Sequence, residues 1–192
     1  YIKTKVDIEN FIDYQISNIF FSNRDWPRNN VDFWRVRKEY DDFAEYGQDG
    51  RYRWLLYDTD FGFGLYGQSV SHNTLEYASQ SSGYTWENPL WATFMLRNLI
   101  KSEDFVIQFV NRFADLLNTT FLHARIIEET SKIRSVMEPG MQEHCERWNR
   151  NGEIGEWQNQ INTMLNWAAQ RPGHQRQHII QKFDAGEEYN LN

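Results

Sequence analysis

The sequence predicts a mainly α fold carrying one small β-hairpin, an α+β class, and three observations lead there. Apolar residues recur at three- and four-residue spacing near the start and throughout the second half, the period of helices with one buried face. Two stretches rich in aromatic and β-branched residues, 31–37 and 51–57, flank the turn signal Asp49-Gly50. No repeat and no linker rich in Pro, Gly or Ser divides the 192 residues, so they read as one unit.

Taken in order, Ile8, Phe11, Ile12, Ile16, Ile19 and Phe20 predict a helix over 7–22. It delivers the loop 23–30, N-R-D-W-P-R-N-N. There Pro27 lacks an amide hydrogen and restrains Trp26 to an extended backbone, while Asn23, Asn29 and Asn30 tolerate tight turns. The segments V-D-F-W-R-V-R and R-Y-R-W-L-L-Y then form a hairpin with an elongated tip. Its second strand turns apolar just before Asp58, the pattern of a strand that enters a core and hands polar residues to a site at its end. Arg28, Arg35, Arg37, Arg51 and Arg53 read as its solvated face, and Trp26, Trp34 and Trp54 as packing residues. Gly62, Gly64, Gly67 and Ser69 suit a mobile loop. Residues 68–88, with Ser79, Ser81, Ser82, Gly83 and a lone His72, read as a surface excursion or lid.

Helical periodicity returns at 90–100 and from Phe105 to Leu117, with Ser102 and Asp104 marking the start of the second helix. A further stripe at 123–148 is expected to break or kink at Pro139-Gly140, and another runs from Trp157 to Ala168. The last helix is expected to open near Pro172 and end before Asp184, leaving a frayed tail at 185–192.

Composition narrows the function. A net charge of −7 and a pI near 5.2 oppose binding to a polyanion, so nucleic acid is not an expected partner. Cys145 stands alone, which excludes an internal disulfide framework and cysteine-ligated zinc and suits a buried inert thiol. No apolar run approaches the roughly 20 residues that span a bilayer. The chain opens at Tyr1 without methionine, as a processed or truncated polypeptide would, with any export signal upstream.

The hairpin brings two acidic loops to one end, so Asp25, Asn30, Asp58 and Asp60 converge. Three carboxylates and a carboxamide in one patch repel one another unless a cation sits among them, and hard oxygen donors suit Mg²⁺ or Mn²⁺. Arg24-Asp25 with Asn30 has the form R-D-x-x-x-x-N, the spacing that in protein kinases sets an aspartate against the acceptor hydroxyl and an asparagine on a metal ion. D-T-D-F-G follows after the hairpin, containing Asp60-Phe61-Gly62 in the kinase form. G-F-G-L-Y-G at 62–67 matches a dinucleotide fingerprint, but no helix opens at those glycines and the match is rejected. D-T-D also has the form of the D-x-D of metal-dependent glycosyltransferases, which stands as an alternative. His174 and His178, four apart on a late helix, read as a solvated helix end rather than a metal site. Arg24 is a candidate phosphate contact.

Together with H-N-T-L-E at 72–76 and N-R-F-A-D-L-L-N-T-T-F at 111–121, these motifs resemble the spore-coat protein H (CotH) kinase-like family over nearly the whole chain. The resemblance implies the carboxy-terminal lobe of an atypical protein-kinase-like fold, ATP with Mg²⁺ or Mn²⁺, and phosphorylation of Ser or Thr on a secreted or surface protein. It makes Asp25 the catalytic aspartate, Asn30 a metal ligand, and Asp58 or Asp60 the metal-binding aspartate, with Arg24, Asn30 and Asp58 facing the nucleotide. The strand end favours Asp58 and the literal D-F-G favours Asp60. The amino-terminal lobe, with its phosphate-covering loop and lysine, is not recognisable here, so this stretch by itself is expected to bind nucleotide poorly and catalyse little. A non-catalytic surface protein that keeps the fold is the third reading.

Overall fold

The structure, a computed structural model, describes residues 1–81, 85–148, 153–185 and 191. Helix α1 (Ile8–Phe21) starts where the Asp7 carboxylate accepts the Asn10 amide hydrogen, satisfying one of the donors every helix start leaves open. Its apolar stripe is buried as the periodicity predicts. Ser22 ends it in the left-handed conformation, and the Ser22 and Asn23 amides close onto Ile19 O and Asn18 O.

Strands β1 (Asp32–Trp34) and β2 (Arg53–Leu55) pair antiparallel, with Phe33 opposite Trp54. Both are shorter than expected because the connection folds on itself. The Arg35 guanidinium donates to Lys38 O and Gly50 O, and Gly50 sits at φ 79°, where an added Cβ would lie 2.7 Å from Lys38 O. The apolar end of the second strand does not enter the core: Leu55, Leu56 and Tyr57 remain 45%, 50% and 41% exposed. Nor is its arginine face wholly solvated. Arg53 is fully buried and held by Asp49 at 2.7 Å and Asp7 at 2.8 Å, because the strand's alternation turns it inward where two carboxylates wait.

The expected lid is instead built around a short helix, α2 (Thr74–Ser79). The Asn73 side chain accepts the Glu76 amide hydrogen, and Leu75 and Ala78 are fully buried. N-T-L-E is an N-cap followed three residues later by glutamate, a helix-start signal that the surrounding serines mask. Helix α3 (Phe94–Leu99) is shorter than expected, the chain from Pro89 to Thr93 being turns. Helix α4 (Glu103–Asn118) begins after Ser102 as predicted, although the serine hydroxyl makes no capping bond.

Two proline expectations fail. Helix α5 (His123–Arg147) is unbroken through Pro139-Gly140, and α6 (Glu153–Phe183) runs through Pro172, merging the two helices read there. An interior proline removes one backbone hydrogen bond; around Pro172 the buried neighbours on α6 outweigh that loss, whereas α5 bears it on an exposed turn. Of the tail at 185–192, Ala185 and Leu191 are described and buried. The rest, like Ser82 and Gly83 of the polar segment, lies outside the described residues.

The core sits around α1, which packs on β2, α2, α4 and α6. Phe20 stacks on Phe121 with ring centroids 4.1 Å apart and meets Trp167 of α6 edge-on. Phe109 and Phe113 of α4 close the other side. Helix α5 packs on α6 and, among its described side chains, buries only Cys145, whose thiol is free and packed as expected. No helix among the described residues is long and apolar enough to cross a membrane.

Candidate active site

The first acidic loop leaves the end of α1 and is pinned at once. Buried Asn23 donates through Nδ2 to Asn18 Oδ1 at 3.0 Å and accepts the Asp25 amide hydrogen at 3.1 Å. The Arg24 amide donates to Phe61 O at 3.1 Å, which fastens this loop to the second acidic loop. The Asn29 amide returns to Asp25 O at 2.8 Å, closing a turn around Trp26–Pro27, whose peptide bond is cis.

Asn30 ties the loops together. Its Nδ2 donates to Asp25 Oδ2 at 3.2 Å and to Asp58 O at 3.3 Å, while Tyr14 of α1 donates its hydroxyl to Asn30 O. Burial, with Tyr57 and Asp32 nearby, holds the Tyr14 phenol far above its ordinary value, so it stays a neutral donor. Asn30 and Asp58 both take the left-handed backbone, at φ 57° and 50°, a conformation that non-glycine residues hold only when their surroundings enforce it.

Asp60 completes the group. Desolvation in the loop, then the adjoining Asp60 carboxylate, then Asp25, raise the Asp58 carboxyl above its ordinary value, with Asn30 pulling the other way. The four residues expected to converge therefore do. Asp58 and Asp60 also line an open groove of about 530 Å³ whose far wall is Gln160, Thr163 and Met164 of α6. Among the described residues no group of three or more His, Cys, Asp or Glu is placed to hold a metal ion. Like charges crowded in this way are the kind of environment a divalent cation relieves, and carboxylate and carboxamide oxygens are hard donors suited to such an ion.

Arg24 faces elsewhere. Its side chain is exposed and, with Trp26, His72, Tyr77 and Glu87, lines a separate pocket of about 270 Å³. Hydrogen bonds from its own amide and Thr85 hold the Glu87 carboxyl below its ordinary value, and Arg24 and Arg28 add to that. Arg28 itself lies over the Trp86 ring, 3.4 Å from its centroid.

A family model described as CotH kinase protein matches residues 1–174 of this chain. The chain belongs to the CotH kinase family. No curated protein and no solved structure matches it.

In this CotH-family chain the late histidines are not the solvated helix end expected of them. His178 is buried, its rings stacking on His174 at 6.5 Å, and desolvation with Arg171, His174 and His72 around it lowers its pKa to about 4. Four residues support the site in roles the sequence does not show, Asn23 being legible only as a residue that tolerates a tight turn. Asn18 and Asn23 look like ordinary helix-end residues, and Tyr14 like a core aromatic; only the loop's closure back onto α1 shows their use. Arg171, beside Pro172 on α6, carries no sequence signal at all. It is fully buried and donates to Phe20 O, Ile19 O, Val70 O and His72 O at 2.7–2.9 Å, clasping the end of α1 from which the first acidic loop springs.

Proposed function

We propose that these residues form the carboxy-terminal lobe of a CotH-like kinase that moves the γ-phosphoryl group of ATP onto a Ser or Thr hydroxyl of a secreted or surface protein. The observation that carries this reading is Asn30, whose one carboxamide bonds both the Asp25 carboxylate and the Asp58 backbone. A base and a metal-binding acid in phosphoryl transfer must keep a fixed separation, and this bridge supplies it.

Asp25 Oδ2 is engaged by Asn30, while Oδ1 has no hydrogen-bond partner among the described residues. That oxygen is the one that accepts the acceptor hydroxyl's hydrogen and aims its oxygen at phosphorus. As the new P–O bond forms, the bond to the β-phosphate oxygen breaks, ADP leaves, and the hydroxyl proton passes to Asp25. Asp58, Asp60 and the Asn30 carboxamide oxygen would hold Mg²⁺ or Mn²⁺, which supplies charge neutralisation on the phosphates. A D-x-D glycosyltransferase would call on Asp58 and Asp60 alone; their coupling to Asp25 through Asn30 favours phosphoryl transfer. Lys3 and Lys5 lie in the opening turn, Lys5 over the Tyr1 ring, and among the described residues the lysines that form ion pairs, Lys38, Lys132 and Lys182, do so with Asp41, Glu128, Glu129 and Glu76 rather than with Asp25, Asp58 or Asp60. Residues 1–192 alone are therefore expected to bind nucleotide poorly and transfer slowly.

Calorimetric titration of the full-length protein with ATP and Mn²⁺, alongside Asp25→Ala, Asp58→Ala and Asp60→Ala, tests the reading. Metal-dependent ATP binding is expected to vanish in Asp58→Ala or Asp60→Ala, which picks the main ligand, and to survive in Asp25→Ala while transfer falls about 10³-fold or more. Wild-type protein that binds no nucleotide would make the acidic cluster structural and the protein a non-catalytic surface component.

A further inference from the structure

A further pocket opens beside the loop that carries Asp25. It encloses about 250 Å³ beneath Trp26, between α1, the hairpin and the start of α3. Phe11, Tyr14, Trp26 and Leu96 make its buried floor. Its rim is Phe33, Trp91 and Phe94, exposed by 56%, 64% and 62%, which is a large apolar outlay for residues that face water. None of the residues lining it carries a charge. One polar group in the wall is unmatched: Gln15 is 5% exposed, and its Oε1 is buried with no hydrogen-bond donor. A buried carboxamide oxygen without a donor is destabilising until something supplies one. Gln15 lines the pocket, and the terminal torsion of glutamine is soft, so its carboxamide is free to offer that oxygen to a donor seated there.

Resting on the kinase reading above, we propose that this pocket receives a neutral aromatic side chain bearing a hydrogen-bond donor, tryptophan or tyrosine, from the acceptor protein, next to the hydroxyl that is phosphorylated. Three features choose that occupant. The uncharged lining turns away lysine, arginine and the carboxylates, because nothing there repays their desolvation. The ring-lined walls and the volume suit one flat side chain. The free Gln15 oxygen separates Trp and Tyr from Phe, since a site built to accept a hydrogen bond discriminates against an isostere that lacks the donor. The position ties the pocket to the acceptor site: Trp26 follows Asp25 directly, and Tyr14 spans from the pocket floor to Asn30 O.

The test has two arms. In the first, N-acetyl-tryptophanamide, N-acetyl-tyrosinamide and N-acetyl-phenylalaninamide are titrated into the 192-residue chain and followed by NMR. The tryptophan and tyrosine amides should bind about five- to tenfold more tightly than the phenylalanine amide. Gln15→Met should erase that preference while leaving phenylalaninamide binding in place, and Phe94→Ala, on the exposed rim, should weaken all three. No binding, or binding indifferent to both substitutions, overturns the proposal. In the second arm the full-length kinase is offered serine peptides that differ only by Trp or Ala near the serine. A lower KM for the Trp peptide, lost in Phe94→Ala, supports the assignment. Equal rates for both peptides overturn it while the kinase reading stands, and no transfer to either defeats that reading together with this one.

Discussion

At the scale of single residues, Arg171 shows how a charge can be kept far from water without a carboxylate. Its guanidinium meets four backbone carbonyls, two of them from the last turn of α1, where the helix dipole is negative. Burial still lowers its pKa to about 10, so it remains charged at neutral pH. Arg171→Met should cost about 3 kcal/mol or more, since several buried carbonyls lose their donor at once, and Arg171→Lys should recover little because an ammonium cannot span the fork. Urea unfolding of both variants decides it; wild-type stability in Arg171→Met would show that the clasp is incidental. His178 makes a pH prediction of definite sign. Its folded-state pKa of about 4 lies below the unfolded value of about 6.5, so the unfolded chain takes up the proton first. The His178 contribution to stability should be constant above pH 7, fall as pH drops through the unfolded value, and level off below the folded one. Flattening of that segment of the profile in His178→Gln is the check.

At the scale of elements, local chemistry and packing compete differently along the chain. Helix α2 has six residues, too short to persist without its cap and its buried Leu75 and Ala78. Asn73→Ala should lower stability by about 1 kcal/mol, read from the shift of the urea midpoint at unchanged slope. Helix α5 is the opposite case: a long helix that carries Pro139 on a solvent-exposed turn. No tertiary contact rewards that proline, so Pro139→Ala should raise stability by as much as about 3 kcal/mol, seen as a higher Tm. A lower Tm would show that the helix needs the bend. Pro172 differs because the residue before it is the clasping Arg171, and α6 is held in place whatever its local propensity.

At the scale of the whole molecule, the start of the chain, the hairpin and its long tip meet at one buried ionic cluster. Asp7 caps α1 and pairs with Arg53 of β2, and Asp49 at the tip pairs with both Arg51 and Arg53. The edge is closed by a parallel bridge between Val6 and Tyr52. The Arg53 guanidinium, with help from Arg51, holds the Asp49 carboxyl well below the usual carboxylate range. A depressed folded-state pKa means that this stabilisation is complete above the unfolded value of about 4 and is lost as the pH falls below it. Asp49→Asn should therefore cost about 3 kcal/mol at pH 7, where it leaves Arg53 buried with one partner, and progressively less in acid. Thermal melts from pH 7 to pH 2 would show the two proteins converging; a constant gap would sink the account. The hairpin is the mount of the second acidic loop, so the same substitution should loosen Asp58 relative to Asn30.

Much of the fold was legible because it rests on period and local chemistry. The stripe on α1, the Asp49-Gly50 turn and the Ser102 start of α4 each follow from residues within one or two turns of one another, and each appears where the sequence places it. The convergence of Asp25, Asn30, Asp58 and Asp60 was legible too, since a hairpin must return its ends to one side. What the tertiary structure alone decided lies where distant residues override local preference. Arg53 reads as surface until Asp7, 46 positions earlier, is seen beside it. Leu55, Leu56 and Tyr57 read as core until nothing packs over them, and Pro172 reads as a helix start until Arg171 is seen gripping the end of α1. Local propensity amounts to about 1 kcal/mol per residue for most side chains, whereas a buried charge or a filled core position is worth several. Where the two disagree in this chain, the long-range interaction determines the structure.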